Sequence, residues 1–471
     1  MKIYNNLQEN IKYLNERLGI DKSFDVVGKE IKIGDTDAYL LMIDGFAKDN
    51  MMLQITQRLQ GFSEDLNTLS VEDLIKKHIG YMEAEVFDDF DMLEAMVLSG
   101  ATALIIDGKT EGVIIDAREY PVRSVSEPEL EKVTRGPRDG FVETIIFNTA
   151  LIRRRVKDPN LRFEIKTVGK RTKTNITISY IKDLVDPKYI EELHDKIDKI
   201  QIDALTMAEK TLTDLLLPKK WYNPLPQVRY TERPDVCAAH LFEGHVIIIV
   251  DGTPSVIILP TTIFHFTQHA EDYYFNPLVG TYIRWVRFIA IITSLLLVPI
   301  FLLLSEYLGE IPILEKLRFI IPDEGNIPVL LQVFLIEIGI DLLRISSTHT
   351  PNTLSSSLGI IGGLILGDLA IKVGWFSESI ILCMAVVGLG TFATPSVEFA
   401  MAVRIFRLFL ELATGLFKLP GFIISIIIIG IIICTTKNGS KNSYIWPVSP
   451  FNWQSLKHII FREPIPKVKK Y

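Results

Sequence analysis

The sequence predicts an α/β N-terminal cytoplasmic region of two subdomains followed by an α-helical polytopic membrane domain. Three observations carry that prediction. Hydrophobic residues make up 48% of the 471-residue chain and charged residues 23%, but the long apolar runs crowd together after Trp285. An apolar strand, Asp-Gly, apolar strand pattern occurs twice before them, at Asp107-Gly108 and Asp251-Gly252. The chain also exceeds the ~250–300 residues at which a single core stops growing, so more than one unit is expected.

Composition excludes some classes. Net charge is −7 and no Lys/Arg block stands beside an aromatic RNA-type motif, so no nucleic-acid partner is expected. The start, MKIYNNLQENIKYLNERLGI, has no apolar stretch behind a basic segment; it is not a secretory signal, and the first half is expected to stay where it was made. Cys237, Cys383 and Cys434 lie far apart, which points to small buried residues in a reducing compartment rather than to disulfides or a metal cage.

In the first half, residues 1–24 form an N-terminal amphipathic helix. Subdomain 1, residues 25–130, opens with two strands around Gly34-Asp35, continues with a helix at about 49–60 and a helical stretch from Ser70 through Leu98, and ends on the Asp107-Gly108 hairpin. Residues 131–159 form the bridging segment, in which Gly136-Pro137 breaks the chain and the Arg-rich helix follows at 139–156. Subdomain 2, residues 160–283, has the strand pair RFEIKTVG and KTNITISYI, the helices PKYIEELHDKIDKI and DALTMAEKTLTDLLLP, and the Asp251-Gly252 hairpin. The recurring order of helix and Asp-Gly hairpin suggests an internal repeat of one α/β unit. Pro224, Pro226 and Pro234 make NPLPQVRYTERPD an ordered loop, neither helix interior nor central strand.

The membrane domain spans 284–436 and a basic cytoplasmic tail 437–471. Phe288 to Leu304 carries no charge, is long enough to cover most of the ~30 Å hydrocarbon core, and has Trp285 and Tyr307 as aromatic ends. Further apolar runs follow at 327–343, 358–375, 380–393 and 422–434. By the positive-inside rule, Arg284, Arg287 and the Lys-rich tail place both ends in the cytoplasm. The number of crossings is then even, four or six, because 380–418 reads either as one broken hairpin or as two spans.

Several of these runs carry charges. Glu337, Asp341 and Arg344 fall within one helix face at 100° per residue, and such a face cannot look at lipid, where each charge costs at least ~2.5–3.5 kcal/mol. Asp368 and Lys372 are spaced for an ion pair, Arg404, Arg407 and Glu411 form a second stripe, and Gly359, Gly363 and Gly367 repeat at the spacing of close helix packing. Two readings stand: these eight charged residues line a polar path with Asp341 paired to Arg344, or they form internal ion pairs. An enzyme is the competing class, but no Walker loop, GxGxxG or GxSxG context is present, and His265 with His269 at helical spacing has no third ligand nearby. No catalytic activity, cofactor or metal is expected.

VTRGPRDGFVETIIFNTALIRRR at 133–155 resembles the signature of the GerA-type spore germination proteins, the A subunits of nutrient germinant receptors and their SpoVAF relatives. PLPQVRYTERPD at 224–235, LFEGHVIIIVDGTPSVIILP at 241–260 and AEDYYFNPLVGTYIRWVRF at 270–288 resemble the same family in the same order, and VGTYIRWVRF with the TERPD context lies nearest the SpoVAF branch. The resemblance runs from about residue 25 to PVSPFNW. It implies a protein of the endospore inner membrane that forms a homo-oligomeric ring in the lipid bilayer and releases monovalent cations during germination. A small membrane partner or germination receptor subunits would work beside it. In the motifs, Arg135, Gly136, Pro137, Arg138, Gly140 and Glu143, with Arg153, Arg154 and Arg155 behind them, are expected to hold subdomains or subunits together, with Glu232, Arg233 and Asp235 as partners.

Overall fold

In the computed structural model the described residues are 1–46, 49–61, 69–75, 84–117, 128, 131–217, 220–307, 327–349, 363, 370–439 and 443–463. They form two compact units, one holding the residues up to Leu217 with Val228–Thr261, the other Lys220–Gln227 with those from Thr262 onward.

The first unit is built from two five-stranded antiparallel sheets of the same topology. In chain order the first half carries α1 (Leu7–Leu18), β1 (Val26–Ile33), β2 (Thr36–Ile43), α2 (Asp49–Gln60), α3 (Val71–Leu74), β3 (Ala84–Phe87), α4 (Phe90–Leu98), β4 (Thr102–Ile106) and β5 (Gly112–Ile115). The second half carries α5 (Ile145–Arg155), β6 (Leu161–Val168), β7 (Thr174–Ile181), α6 (Pro187–Asp198), α7 (Ala208–Leu216), β8 (Arg229–Thr231), α8 (Pro234–Phe242), β9 (Val246–Val250) and β10 (Val256–Leu259). The strand orders are β1-β2-β4-β5-β3 and β6-β7-β9-β10-β8, so each strand of one sheet has its counterpart in the other.

The correspondence reaches individual hydrogen bonds. Asp107 Oδ1 accepts from Leu7 N, the first residue of α1, at 2.9 Å, while Gly108 N donates to Asn5 O at 2.9 Å. In the second half Asp251 Oδ1 accepts from Ile145 N, the first residue of α5, at 3.2 Å, and Gly252 N donates to Glu143 O at 2.8 Å. Both hairpin glycines have positive φ, 76° and 87°, a conformation in which a Cβ is disfavoured. Inside the helices, Asn10 pairs through its amide with both backbone groups of Tyr4, and Asn148 does the same with Val142. The N-terminal helix and the Arg-rich helix therefore occupy equivalent places in a duplicated unit.

Burial explains why the central strands lack polar alternation. In β4, Ala103 and Ile105 pack with α1 and α4, while Leu104 and Ile106 pack with α2 and α3. With helices on both faces, every residue of β4 is buried. Two expectations are corrected in this unit. The stretch from Ser70 to Leu98 is not one helix: Ala84–Phe87 is an edge strand in register with Gly112–Ile115, because its side chains complete the face that β5 leaves open. Within the proline loop, Arg229–Thr231 pairs as the edge strand β8, and Pro234 opens α8 at its first turn, where its missing N–H costs nothing.

The second unit is a helical bundle of α9 (Glu271–Tyr274), α10 (Pro277–Tyr307), α11 (Val329–His349), α12 (Ala370–Lys372), α13 (Glu378–Phe392), α14 (Val397–Thr435) and α15 (Trp453–Ile460). Helix α14 is two helices. Lys418 has φ 53° and ψ −138°, and a Cβ at Gly421 would stand 2.1 Å from the carbonyl oxygen of Ala413, which is impossible in a straight helix. Phe266 accordingly stacks on Phe399 at 6.0 Å and meets Tyr444 at 6.4 Å, so both ends of the 397–435 segment return to one end of the bundle. Residues 397–417 (α14a) and 419–435 (α14b) are an antiparallel hairpin whose tip, Lys418, pairs with Glu306 at the far end of α10. Within 380–418 the structure has two helices, α13 and α14a, joined through Ala393–Ser396.

Candidate functional site

Helices α10, α11, α13 and α14a converge on a charged cluster inside the bundle. Leu330 of α11 lies over Gly415 and Arg344 places Nη1 2.6 Å from Met401 Sδ, so α11 runs antiparallel to α14a. That register sets Glu337 opposite Arg404 and Arg407. Arg404 Nη2 donates to Glu337 Oε2 and to the Glu337 carbonyl, each at 2.8 Å. Arg407 Nε donates to Glu337 Oε1 at 2.8 Å, and Arg404 Nη1 approaches Asp341 Oδ1 at 2.5 Å. The remaining Arg407 donor, Nη1, reaches the carbonyl of Ser294 on α10 at 3.0 Å and Thr391 Oγ1 on α13 at 3.5 Å.

Glu337 is 1% exposed, Arg404 3% and Arg407 2%. The stripe of α11 thus turns inward, while Ile338 and Leu342 on its other side are exposed. Glu337 faces a pair of guanidiniums, while the partly exposed Asp341 meets Arg404. Glu411 joins the cluster one turn above Arg407 and is fully buried. Of the other residues singled out, Lys372 ends the short helix α12; Asp368, Gly359 and Gly367 lie outside the described residues; and no described atom comes within 4 Å of a Cβ placed on Gly363.

At the entry to α10, Arg284 and Arg287 are not a free interfacial flank. Both are buried beside Asp272: Arg287 Nη1 and Nη2 donate to its two oxygens at 2.7 and 2.9 Å, and Arg284 Nε lies 3.5 Å away. Arg284 Nη1 also donates to the carbonyls of His458 and Ile459, tying the end of α15 to α10. Sequence reasoning missed Asp272, Ser294, Thr391 and Gln332, whose side-chain oxygen on α11 accepts from Ser377 N, the residue before α13, at 3.0 Å. Asp272, at the helical spacing of four from neither arginine, offered no signal, whereas Gln332 and Thr391 were polar residues in apolar runs and did. The pairing of His265 with His269 on one helix is corrected: a 3-10 turn ends at Thr267, and the His265 Nδ1 accepts from Thr262 N at 2.9 Å while His269 Nδ1 accepts from Glu271 N at 3.2 Å.

In the first unit the motif residues build a clamp. Arg233, 1% exposed, forms a bidentate pair with Asp235 at 3.0 and 2.8 Å and donates to the carbonyls of Glu131 and Pro137, each at 3.1 Å. Phe141 N donates to the Glu232 carbonyl at 2.8 Å, so TERPD holds the RGPRDGF turn through one backbone bond and the Arg233 side chain. Gly136 has φ 121°, which suits only glycine. Gly140 is buried, and Glu143 meets Gly252 through its carbonyl. Arg155 pairs with Asp139, while Arg153 pairs with Asp25 at 2.9 Å, donates to the Asp158 and Leu161 carbonyls and lies over the Phe163 ring at 5.1 Å. Arg135 and Arg138 are exposed and make no ion pair among the described residues.

Residues 12–471 match the family described as Bacillus/Clostridium GerA spore germination protein. The stage V sporulation protein AF of Bacillus subtilis (strain 168) is 40% identical over 473 residues, covering 100% of this chain and 95% of that protein. Spore germination protein B1 of the same organism is 30% identical, covering 100% of this chain and 97% of that protein. Spore germination protein KA, again from that organism, is 29% identical over 97% of this chain and 84% of that protein. Among solved structures, the N-terminal domain of the A subunit of the Bacillus megaterium spore germinant receptor GerK3 aligns with a TM-score of 0.42 and 27% identity, covering 55% of this chain and 96% of that one.

Proposed function

The chain belongs to the GerA family of spore germination proteins, and from that premise we propose that it is an oligomeric, multi-pass protein of the spore inner membrane that releases monovalent cations during germination. It is not an enzyme in this reading. The observation that carries it is the buried cluster of Glu337, Arg404 and Arg407 inside a bundle whose outer face is apolar. Ile289 and Ile292 of α10, Leu382 and Leu389 of α13, and Ile423 and Ile427 of α14b are all exposed, as suits a lipid boundary. A plain anchor needs one apolar helix and no buried charge, and burying such charges costs desolvation even when they are paired.

In the single chain Glu337 is paired with both Arg404 and Arg407, which corresponds to a closed path. Opening exchanges the Glu337 contacts for water and cations, and repetition around a ring multiplies the effect. The α14 hairpin favours six crossings over four, with the two ends of the helical unit on one side and the first unit in the spore core. The relatives named spore germination proteins KA and B1 leave room for a second reading, an A subunit of a nutrient germinant receptor working beside separate B and C subunits; copurification of such subunits from spores favours it. The purified protein in liposomes should pass potassium. Glu337→Gln removes one of the two carboxylates that meet the guanidiniums, leaving Asp341 on Arg404, and the added positive field repels cations, so flux should fall at least several-fold at equal protein abundance. Unaltered flux and selectivity in that variant would remove the cluster from the path.

A further inference from the structure

Glu411 is a carboxylate too many. The two guanidiniums of the cluster, Arg404 and Arg407, are met by the two carboxylates of Glu337 and Asp341. Glu411, with no exposed surface, is a third acid on the same helices, and neither of its oxygens receives a hydrogen bond. Arg407 Nε comes within 3.5 Å of it, but that donor is directed at Glu337 Oε1, 2.8 Å away. One turn further along the same face of α14a, the hydroxyl of Thr414 is also buried without a partner. From the packed helices the groups that act on Glu411 are Glu337 on α11 and the Cys383 thiol on α13. Neither of these adds a positive charge. An ionised carboxylate buried without compensation costs several kcal/mol, so a positive charge accompanies it.

We propose that Glu411, with the Thr414 hydroxyl beside it, is the binding site for one exchangeable positive charge, a proton or a monovalent alkali cation, inside the helical unit. The site deepens the conduction reading and rests on it. It gives the path an internal station at which a cation is held between two gates of paired charge, the Glu337 cluster on one side and the Lys418–Glu306 pair at the hairpin tip on the other.

Infrared difference spectroscopy on the full-length protein in phosphatidylglycerol and phosphatidylethanolamine liposomes tests it without any need for flux. Replacing potassium by N-methylglucamine at constant pH should shift carboxylate bands if the occupant is an alkali cation. Lowering pH at constant potassium should instead raise a carbonyl band sensitive to deuterium exchange if the occupant is a proton. Either signal should vanish in Glu411→Gln. Thr414→Val keeps the charge and the fold, and should weaken the potassium or proton midpoint about 10-fold, the scale of one hydrogen bond to a charged group. Identical spectra from the native protein and Glu411→Gln in both series would overturn the site; if Glu411→Gln does not fold, an unmoved midpoint in Thr414→Val would do so. A protein that shows the signal yet passes no potassium would keep the site and sink the conduction reading.

Discussion

Arg153 is the residue on which the two halves of the first unit meet. Its guanidinium pairs with Asp25 at the start of β1 and donates to the Leu161 carbonyl at the start of β6. Ser23 supports the same junction, since its hydroxyl donates to Asp25 Oδ1 at 2.7 Å and accepts from Phe163 N at 2.8 Å. Both charges are almost wholly buried, so removing one leaves the other without compensation, a loss of ~3–5 kcal/mol. Arg153→Ala should therefore lower the thermal midpoint of the purified protein by roughly 10 °C. The double variant Arg153→Met with Asp25→Asn, which buries no charge, should recover part of that loss. Equal midpoints for the single and double variants would mean that packing alone, and not the ion pair, carries the junction. The Arg run was visible in the sequence. Which arginine is buried was not, because three in succession point around the helix and only the docked sheets select Arg153.

At the scale of elements, the duplication makes a prediction that neither half makes alone. Asn10 and Asn148 stand four residues into equivalent helices and satisfy the same pair of backbone groups upstream. Each is buried, so Asn→Ala leaves a backbone donor and acceptor without partners at ~1–3 kcal/mol. Asn10→Ala and Asn148→Ala should destabilise by similar amounts in denaturant titrations, and additively in combination. A large asymmetry would show that the two helices, though alike in place, differ in function. The Asp-Gly hairpins announced this repeat because a positive φ and a carboxylate acceptor leave a local mark. The matching of α1 with α5 left almost none, since the two helices share only Asn and apolar spacing.

For the helical unit as a whole, the decisive event is the reversal at Lys418. A continuous 39-residue helix would measure about 58 Å, nearly twice the ~30 Å of a hydrocarbon core. Folded back, each half has the length of one crossing. A cysteine placed at Lys418 should be labelled by impermeant reagents from the side opposite to one placed at Lys437. Labelling of both from the same side would contradict the hairpin. Gly421→Val should disrupt it too, since the new side chain meets the Ala413 carbonyl, and the expected readout is loss of monodisperse protein on gel filtration.

The sequence by itself determined the division into an α/β half and an apolar helical half, the two Asp-Gly hairpins, and the family, because composition, turn chemistry and motif order are local properties that survive without knowledge of contacts. It also marked Glu337, Arg404, Arg407 and Glu411 as charges that lipid would not accept. Only the tertiary structure decided what each of them meets. Glu337 holds two arginines from another helix, Asp341 turns to Arg404, Arg284 and Arg287 close on Asp272, and Glu411 is left over. Periodicity fixes the face of a helix on which a charge lies, but the partner across the bundle depends on helix order, direction and register, which are set by packing between segments far apart in the chain.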